Sequence, residues 1–250
     1  MPPSSQFVLP ASVVNVAFWT VRAVFIRACW LLHHAVALAC GSPRPRELAS
    51  ELGQPDAEGV CYSVNIGSGM PKQPTPRAFV TRLGILGDAQ NIGYTKSWGG
   101  HGGERKAVML WSLEVIQHVA AEGHPDCGVG RCGEQITVSG VDWTLFRTGA
   151  RVAIGSEVLL EVTYLKPPCT QQEPNFRSEV GDGMQRICPT RHPDSSRAHT
   201  RVLRGGYVAT GDKVAVYRSP LAASGGVVRC AKDPSVCISS EYAQEERGGS

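Results

Sequence analysis

Apolar and polar residues alternate along several short segments of this chain, which is the pattern of half-buried β-strands. The clearest segment runs from residue 60 to residue 66. The residues predicted to share its buried face are Val60, Tyr62, Val64 and Ile66. Further strands are predicted at 78–83, 135–138, 151–154 and 157–165. Strands of this length, separated by glycine-containing turns, favour a strand-dominated fold.

Only one segment has a convincing helical period. Its apolar residues recur at spacings of three and four, and they are Val108, Trp111, Val115 and Val119. Glu104 suits the positive end of a helix, and Gly123 is a natural stop. The pattern therefore predicts one long helix near 104–122.

Two segments repeat each other: residues 148–154 (TGARVAI) and residues 210–216 (TGDKVAV). Each one places a glycine turn before a strand, which predicts two similar hairpins in one sheet. Residues 170–198 are polar and contain Pro and Gly, so a long surface loop is predicted there. The fold class predicted from these features is mainly β, with a closed barrel-like domain and a few helices.

Composition agrees with this view, because 28 glycines and 17 prolines among 250 residues favour many turns and short strands. The formal net charge of +3 gives no basis for expecting a nucleic-acid partner. The charge is uneven, however, because the chain has arginines but no acidic residue before Glu47.

A basic leader, acid-free as far as residue 46, is predicted to lie outside the fold, over residues 1–57. An apolar run covers 13–40, but Arg22 and Arg27 interrupt it, which argues against a stable membrane span and against a signal peptide. A mitochondrial presequence and an extension with no part in the fold both remain open. The domain is predicted over 58–218, and 219–250 is predicted to be a disordered tail.

The nine cysteines form no Cys-x-x-Cys pair, and no credible secretory signal precedes them. We interpret them as mostly reduced thiols of an intracellular protein, either cytoplasmic or mitochondrial.

Candidate chemistry begins with a glycine-rich loop, Trp98-Gly-Gly-His-Gly-Gly103. A ligand could approach the backbone closely at Gly102 and Gly103, and a helix beginning at Glu104 would direct its positive end toward an anion bound near His101. A purely structural turn is the alternative interpretation.

A second candidate is Cys169, which follows Pro167 and Pro168 at the end of a strong predicted strand. The prolines restrict the backbone, and Lys166 is close enough in sequence to favour the thiolate. A thiolate binds soft metals such as molybdenum and also accepts or donates sulfur. The alternative is a buried, inert cysteine.

The order of these elements from about residue 60 to residue 217 resembles that of the MOSC family, named for the C-terminal domain of molybdenum-cofactor sulfurase. The matching segments are Val64-Asn-Ile-Gly-Ser-Gly69, Gly84-Ile-Leu-Gly-Asp88, Gly100-His-Gly-Gly103, Ala107-Val-Met-Leu110, Gly133-Glu134, Ile154-Gly155, Pro168-Cys169 and Thr210-Gly-Asp212.

The resemblance implies a β-barrel domain that binds molybdenum cofactor (Mo-molybdopterin) or carries sulfur for it. One implied function is an oxidoreductase that reduces N-hydroxylated small molecules, with Cys169 as catalytic residue and molybdenum ligand and a separate redox protein as electron donor. The other is a non-enzymatic sulfur or cofactor carrier, with Cys169 as persulfide acceptor. The cofactor-binding residues implied by the family pattern are His101, Gly102, Gly103, Asp88, Glu134 and Lys166.

The sequence departs from the family pattern at two positions. Gln135 follows Gly-Glu where the family usually has Asn, and Ala150 replaces a common Asp. The companion barrel of related reductases does not fit into 57 residues, and no lysine site for the pyridoxal phosphate of larger family enzymes is evident. We therefore expect a stand-alone MOSC domain.

Overall fold

The computed structural model describes residues 52–92 and 102–219, together with the backbone of two short strands at 229–230 and 237–238. None of the helices in these described ranges is both long enough and apolar enough to cross a bilayer.

The described part of the chain is built mainly from short strands. The strands are β1 (Ala57–Ile66), β2 (Gln73–Thr75), β3 (Arg77–Thr81), β4 (Gly84–Ile85), β5 (Val108–Ser112), β6 (Ile136–Ser139), β7 (Arg151–Ile154), β8 (Val158–Lys166), β9 (Arg197–Arg204), β10 (Gly206–Ala209), β11 (Lys213–Tyr217), β12 (Arg229–Cys230) and β13 (Cys237–Ile238). The helix α1 covers Leu113–Ala121. Short 3-10 turns connect many of these elements.

Seven of the described strands close into a barrel, in the order β11-β7-β8-β9-β5-β6-β1, and pairing of β1 with β11 completes the ring. The pairs are antiparallel except β5 with β6, which run parallel. A small second sheet has the order β10-β3-β4. The mainly β, closed-barrel prediction is confirmed, and closure leaves the barrel strands without free edges.

The strand predicted at 60–66 is present as β1, but its predicted buried face is wrong in the first half. Val60 and Tyr62 are 43% and 48% exposed, whereas Cys61 and Val64 are fully buried in the core. The reason is a bulge, because the register of β1 against β6 shifts between Cys61 and Ser63. One extra residue in a strand exchanges its two faces beyond that point. A prediction that continues strict alternation through the bulge therefore places the residues on one side of it on the wrong face.

The long helix predicted near 104–122 is also wrong in its first half. Residues 104–106 form one 3-10 turn, residues 108–112 form β5, and the helix begins only at Leu113. All five residues of β5 are buried between β6 and β9, so an apolar run that fits a helical period is instead a central strand. Ser112 caps α1 by accepting a hydrogen bond from the backbone N–H of Val115.

The two repeated segments lie side by side. Their strands β7 and β11 pair antiparallel, with Ile154 opposite Val214 and Val152 opposite Val216. The prediction that both segments form strands of one sheet is confirmed, and both strands supply valines to the core. Two similar hairpins are not formed, because β7 pairs with β8, which follows it, whereas β10, which precedes β11, pairs with β3 in the second sheet.

The surface loop predicted over 170–198 is more ordered than its composition indicates. Three 3-10 segments cover 170–175, 183–187 and 193–195, and Ile187 is fully buried. The loop leads into β9, a strand the sequence analysis missed because it is rich in Arg and His. Two buried indoles hold the start of β9, since Trp111 donates to the Ser195 carbonyl at 2.9 Å and Trp143 to the Ser196 carbonyl at 2.7 Å.

Most of the predicted leader, residues 1–51, lies outside the described ranges. The fold itself begins before residue 58, because Ala57 pairs with Val216 and Leu52 packs near Ala153. At the other end, β12 and β13 pair with each other, and the rest of the predicted tail lies outside the described residues.

Candidate functional site

A cavity of about 330 Å³ opens beside the ends of β8 and β9. Its walls come from six segments that are separated in sequence. The lining residues are Ser68, Gly69, Met70, Lys72, Ala89, Gln90, Met109, Cys132, Gly133, Lys166, Gln171, Gln172, Arg197 and His199. This set contains two lysines and one arginine but no acidic residue, so the described wall of the cavity is cationic.

Asp88, predicted as a cofactor residue, lies behind this wall rather than in it. Its carboxylate accepts hydrogen bonds from the Lys72 ammonium at 2.6 Å, from the backbone N–H of Gly67 at 3.0 Å and of Gln90 at 3.0 Å, and from the Gln135 amide at 3.1 Å. With both oxygens occupied, Asp88 fixes the segments that carry Lys72 and Gln90 to the cavity. This is a supporting position.

Gln135, which departs from the family pattern, belongs to the same network. Its amide oxygen accepts from the backbone N–H of Met109 at 2.8 Å, and its amide nitrogen donates to Asp88 and to the Gln90 side chain. Gln90 in turn donates to the Lys106 carbonyl at 2.7 Å. The chain of amides joins β5 to the 3-10 turn at residues 89–92.

The most deeply placed cation of the site is Arg197, the first residue of β9, which is fully buried. One guanidinium nitrogen donates to the Cys132 carbonyl at 2.7 Å, and another donates to the Pro167 carbonyl at 3.2 Å. The Nε atom has no hydrogen-bond partner among the described residues. A buried guanidinium with an unused donor at a cavity wall is suited to an anionic ligand.

Lys166 and Cys169 occupy the loop that leaves β8. Lys166 lines the cavity, and burial, together with the nearby Arg197 charge, lowers the pKa of its ammonium to about 8, while the facing Cys169 thiol acts in the opposite direction. Cys169 is partly exposed. It is absent from the residues that form the cavity wall, but its neighbours Lys166, Gln171 and Gln172 are part of that wall.

Glu134 is completely buried beneath the cavity. Its Oε1 atom accepts from the backbone N–H of Gly130 and from the Thr137 hydroxyl, and its Oε2 atom has no partner in the described part of the chain. Burial raises the pKa of this carboxyl to about 7, and the hydrogen bonds and the Arg197 charge only partly offset that effect. Glu134 therefore supports the floor beside Cys132 and Gly133 without reaching the cavity.

Of the glycine-rich loop at 98–103, the structure describes only Gly102 and Gly103. His101 lies outside the described residues, and Gly102 and Gly103, both with φ of +87°, are not among the residues of the cavity wall. The expected helix dipole at Glu104 is wrong, because only a three-residue 3-10 turn begins there and α1 starts at Leu113.

Sequence analysis missed several residues of the cavity wall. Lys72, Arg197 and His199 come from segments with no recognisable motif, and only the fold brings them together. Cys132 directly precedes the Gly133-Glu134 segment that matches the family pattern. That position beside a matching segment is a signal for Cys132, whereas Arg197 begins a strand that is rich in Arg and His and offers none. No group of three or more His, Cys, Asp or Glu residues within the described ranges could hold a metal ion by itself.

Comparison with known proteins is consistent with this architecture. The family model described as "MOSC domain" matches residues 99–215, which include β5–β10 and most of β11, the loop with Cys169, and Arg197. This part of the chain belongs to the MOSC domain family. The matched range supplies Cys132, Lys166, Arg197 and His199 to the cavity wall, while Lys72 and Asp88 precede it.

Solved structures share the fold of this chain at low sequence identity. YiiM from Geobacillus stearothermophilus is 18% identical, with a TM-score of 0.52 over 76% of this chain and 98% of that one. YiiM from Escherichia coli is 15% identical, with a TM-score of 0.50 over 76% of this chain and 91% of that one. No curated protein matches the chain significantly.

Proposed function

We propose that this MOSC domain binds the molybdenum cofactor and reduces N-hydroxylated small molecules, with Cys169 as the sulfur ligand of molybdenum. The observation that carries the proposal is the cationic cavity beside the Cys169 loop. Lys72, Lys166 and Arg197 converge on it, and the described wall contains no carboxylate. The electron donor would be a separate redox protein.

The residues present fit an anionic cofactor that carries a phosphate. Arg197 offers a buried Nε donor with no protein partner, and Lys166 offers an ammonium whose pKa of about 8 would rise once a negative group bound beside it. Lys72 already has one carboxylate partner, Asp88, but its ammonium has two further N–H donors. These three side chains would hold the negative groups of the cofactor.

Cys169 would hold the metal, because a thiolate is a soft ligand of the kind that molybdenum prefers over hard oxygen donors. When bound, the cofactor supplies two-electron redox chemistry. The protein's own part is to fix and desolvate the ligand: Met70 and Met109 cover apolar surface of the cavity, and Gln90 and Gln171 offer amide donors and acceptors to a polar substrate. Arg197 and Lys166 keep the local potential positive.

The proposal is tested by metal and sulfur analysis of the full chain, produced in cells that make molybdenum cofactor and purified under reducing conditions. The expected result is close to one molybdenum per chain, together with reduction of an N-hydroxylated substrate by an artificial electron donor. Sulfane sulfur on Cys169 without molybdenum would contradict the oxidoreductase and favour the sulfur carrier. Absence of both would remove the cofactor proposal.

A further inference from the structure

Gln172 connects the buried Arg197 guanidinium to the backbone of Cys169. The Oε1 atom of Gln172 accepts a hydrogen bond from the Arg197 Nη2 atom at 3.0 Å and, at the same time, one from the backbone N–H of Cys169 at 2.9 Å. A second bond closes the turn, since the backbone N–H of Gln172 donates to the Cys169 carbonyl at 2.9 Å. Gln172 is almost fully buried.

Arg197 is itself fixed on the barrel, so the connection runs from a rigid element to a loop. Its Cα atom pairs with that of Lys166 at the end of β8, and its guanidinium holds the carbonyls of Cys132 and Pro167. The Pro167 bond restrains the loop just before Cys169, and the Gln172 bond restrains it just after.

Burial of the Arg197 guanidinium lowers the stability of the fold, and this cost indicates that the residue has a functional role. A buried guanidinium satisfied mainly by neutral acceptors, rather than by a directly bonded carboxylate, costs more desolvation free energy than it recovers in attraction. The charged and titratable groups that face Arg197 are Cys132, Cys169, Glu134 and Cys127, and Lys166 lies on the neighbouring strand. Glu134 is near but makes no hydrogen bond with it in the described structure.

We propose that Arg197, acting through Gln172, is the positioning residue that fixes Cys169 beside the cavity. This inference rests on the proposed function, in which Cys169 is the reactive thiol, and it adds the device that holds that thiol in place. Arg197 acts on the Cys169 backbone through the shared oxygen atom. Removal of Gln172 should therefore release this amide group, and removal of Arg197 should loosen it.

The test uses the full chain labelled with 15N-cysteine and follows hydrogen exchange of individual cysteine amides by NMR. Gln172→Leu removes the shared acceptor, and Arg197→Met removes the guanidinium while keeping an unbranched side chain. Gln172→Leu should make exchange at the Cys169 amide about tenfold faster, the change expected for one lost hydrogen bond. Arg197→Met should also make it faster, but by less, because the acceptor remains and loses only the guanidinium that holds it in place. The double variant should show no larger change than Gln172→Leu alone, because both residues act through one contact.

Three controls separate positioning from general loosening. The amides of Cys61 and Cys188, which donate to the carbonyls of Asp212 and Gln185, should exchange at unchanged rates. Arg201→Met, on the same strand but with a half-exposed side chain paired to Glu161, should leave Cys169 protected. Gln172→Glu retains an acceptor oxygen and should restore protection.

An unchanged Cys169 rate in Gln172→Leu, or an equal increase at Cys61 and Cys188, would overturn the inference. If Arg197→Met does not fold, Arg197→Lys decides the matter, because it keeps the charge but lacks the planar fork that bonds Pro167 and Gln172 together, and it should also speed exchange at Cys169. The measurement needs no bound cofactor, so its failure leaves the proposed function standing. Conversely, molybdenum binding that survives Cys169→Ser would remove the proposed function even if the exchange result agreed.

Discussion

Lys72 and Asp88 form an ion pair of 2.6 Å in which both side chains are almost completely buried, with 5% and 0% exposure. Lys72 faces the cavity while Asp88 faces the segments behind it, so the pair joins the candidate site to its support. A buried pair of this kind contributes less to stability than its short distance suggests, but removal of one partner leaves an uncompensated charge.

Asp88→Asn should therefore destabilise the fold strongly, by about 3–5 kcal/mol in the free energy of unfolding, because it strands the Lys72 ammonium. Chemical denaturation measures the change. The matched control is Glu104→Gln, which breaks an exposed ion pair with Arg82 and should cost less than about 1 kcal/mol. If the two substitutions lower the free energy of unfolding equally, burial of the Lys72–Asp88 pair does not increase the cost of breaking it.

The buried Glu134 carboxyl should make stability fall as pH rises. Its pKa is about 7 in the folded protein, above the ordinary value of 4.5, so its contribution is fully present below pH 4.5 and is lost as pH rises through about 7. Relative to Glu134→Gln, the wild-type protein should lose about 3 kcal/mol of unfolding free energy between pH 4.5 and pH 8. Denaturation of both proteins across this range measures the difference.

Glu114 provides a control of opposite sign. Burial alone would raise the pKa of its carboxyl, but hydrogen bonds from the Gly140 N–H and the Ser112 hydroxyl bring it below the ordinary value. Its contribution is therefore present above pH 4.5 and lost as pH falls, so Glu114→Gln should reduce stability at neutral pH more than in acid. If the difference in unfolding free energy between the wild-type protein and Glu134→Gln does not change with pH, the raised pKa assigned to Glu134 is contradicted.

Gly130 should tolerate no side chain, because a Cβ atom there would lie 2.5 Å from the Lys72 carbonyl at a φ of +74°. Gly130→Ala should lower the unfolding free energy by more than the roughly 1–2 kcal/mol of left-handed strain and should loosen the wall near Lys72. Gly181→Ala is the matched control, since its φ is +48° but no atom lies within 4 Å of the added Cβ. Similar thermal denaturation midpoints for the two variants would argue against the clash.

Sequence alone was sufficient for the fold class and for several strands because those features depend on local alternation. It failed at β1 and β5 because tertiary pairing determines both. The bulge at Tyr62 exchanges the faces of β1, and burial between two neighbours turns Val108–Ser112 into a strand despite its helical spacing.

The site was less accessible to prediction than the fold. Lys166 and Cys169 form a local motif, so a pattern search can find them. Arg197 and Lys72 reach the same cavity from segments 125 residues apart, and the residues next to them in sequence do not indicate that the two side chains meet. Asp88 and Glu134 match the family pattern, but the structure places them behind the wall, where they hold other residues.

Residues 1–51 are predicted to be dispensable for folding of the barrel. A chain that begins at Leu52 keeps the Leu52 contact near Ala153 and the Asp56 bond to the Val216 carbonyl. It should therefore be soluble and melt cooperatively within a few degrees of the full chain. Calorimetry of the two proteins compares them, and an insoluble or non-cooperative short chain would show that the leader belongs to the fold.

The most direct test of the central claim is the molybdenum content of Cys169→Ser, measured by elemental analysis beside wild type and Cys188→Ser. Serine is nearly isosteric with cysteine but is a harder ligand, so Cys169→Ser should fold with a similar melting temperature and lose most of its molybdenum and its N-hydroxylated-substrate reduction. Cys188→Ser, a buried thiol away from the cavity wall, should keep both. Full molybdenum content and activity in folded Cys169→Ser would contradict the account.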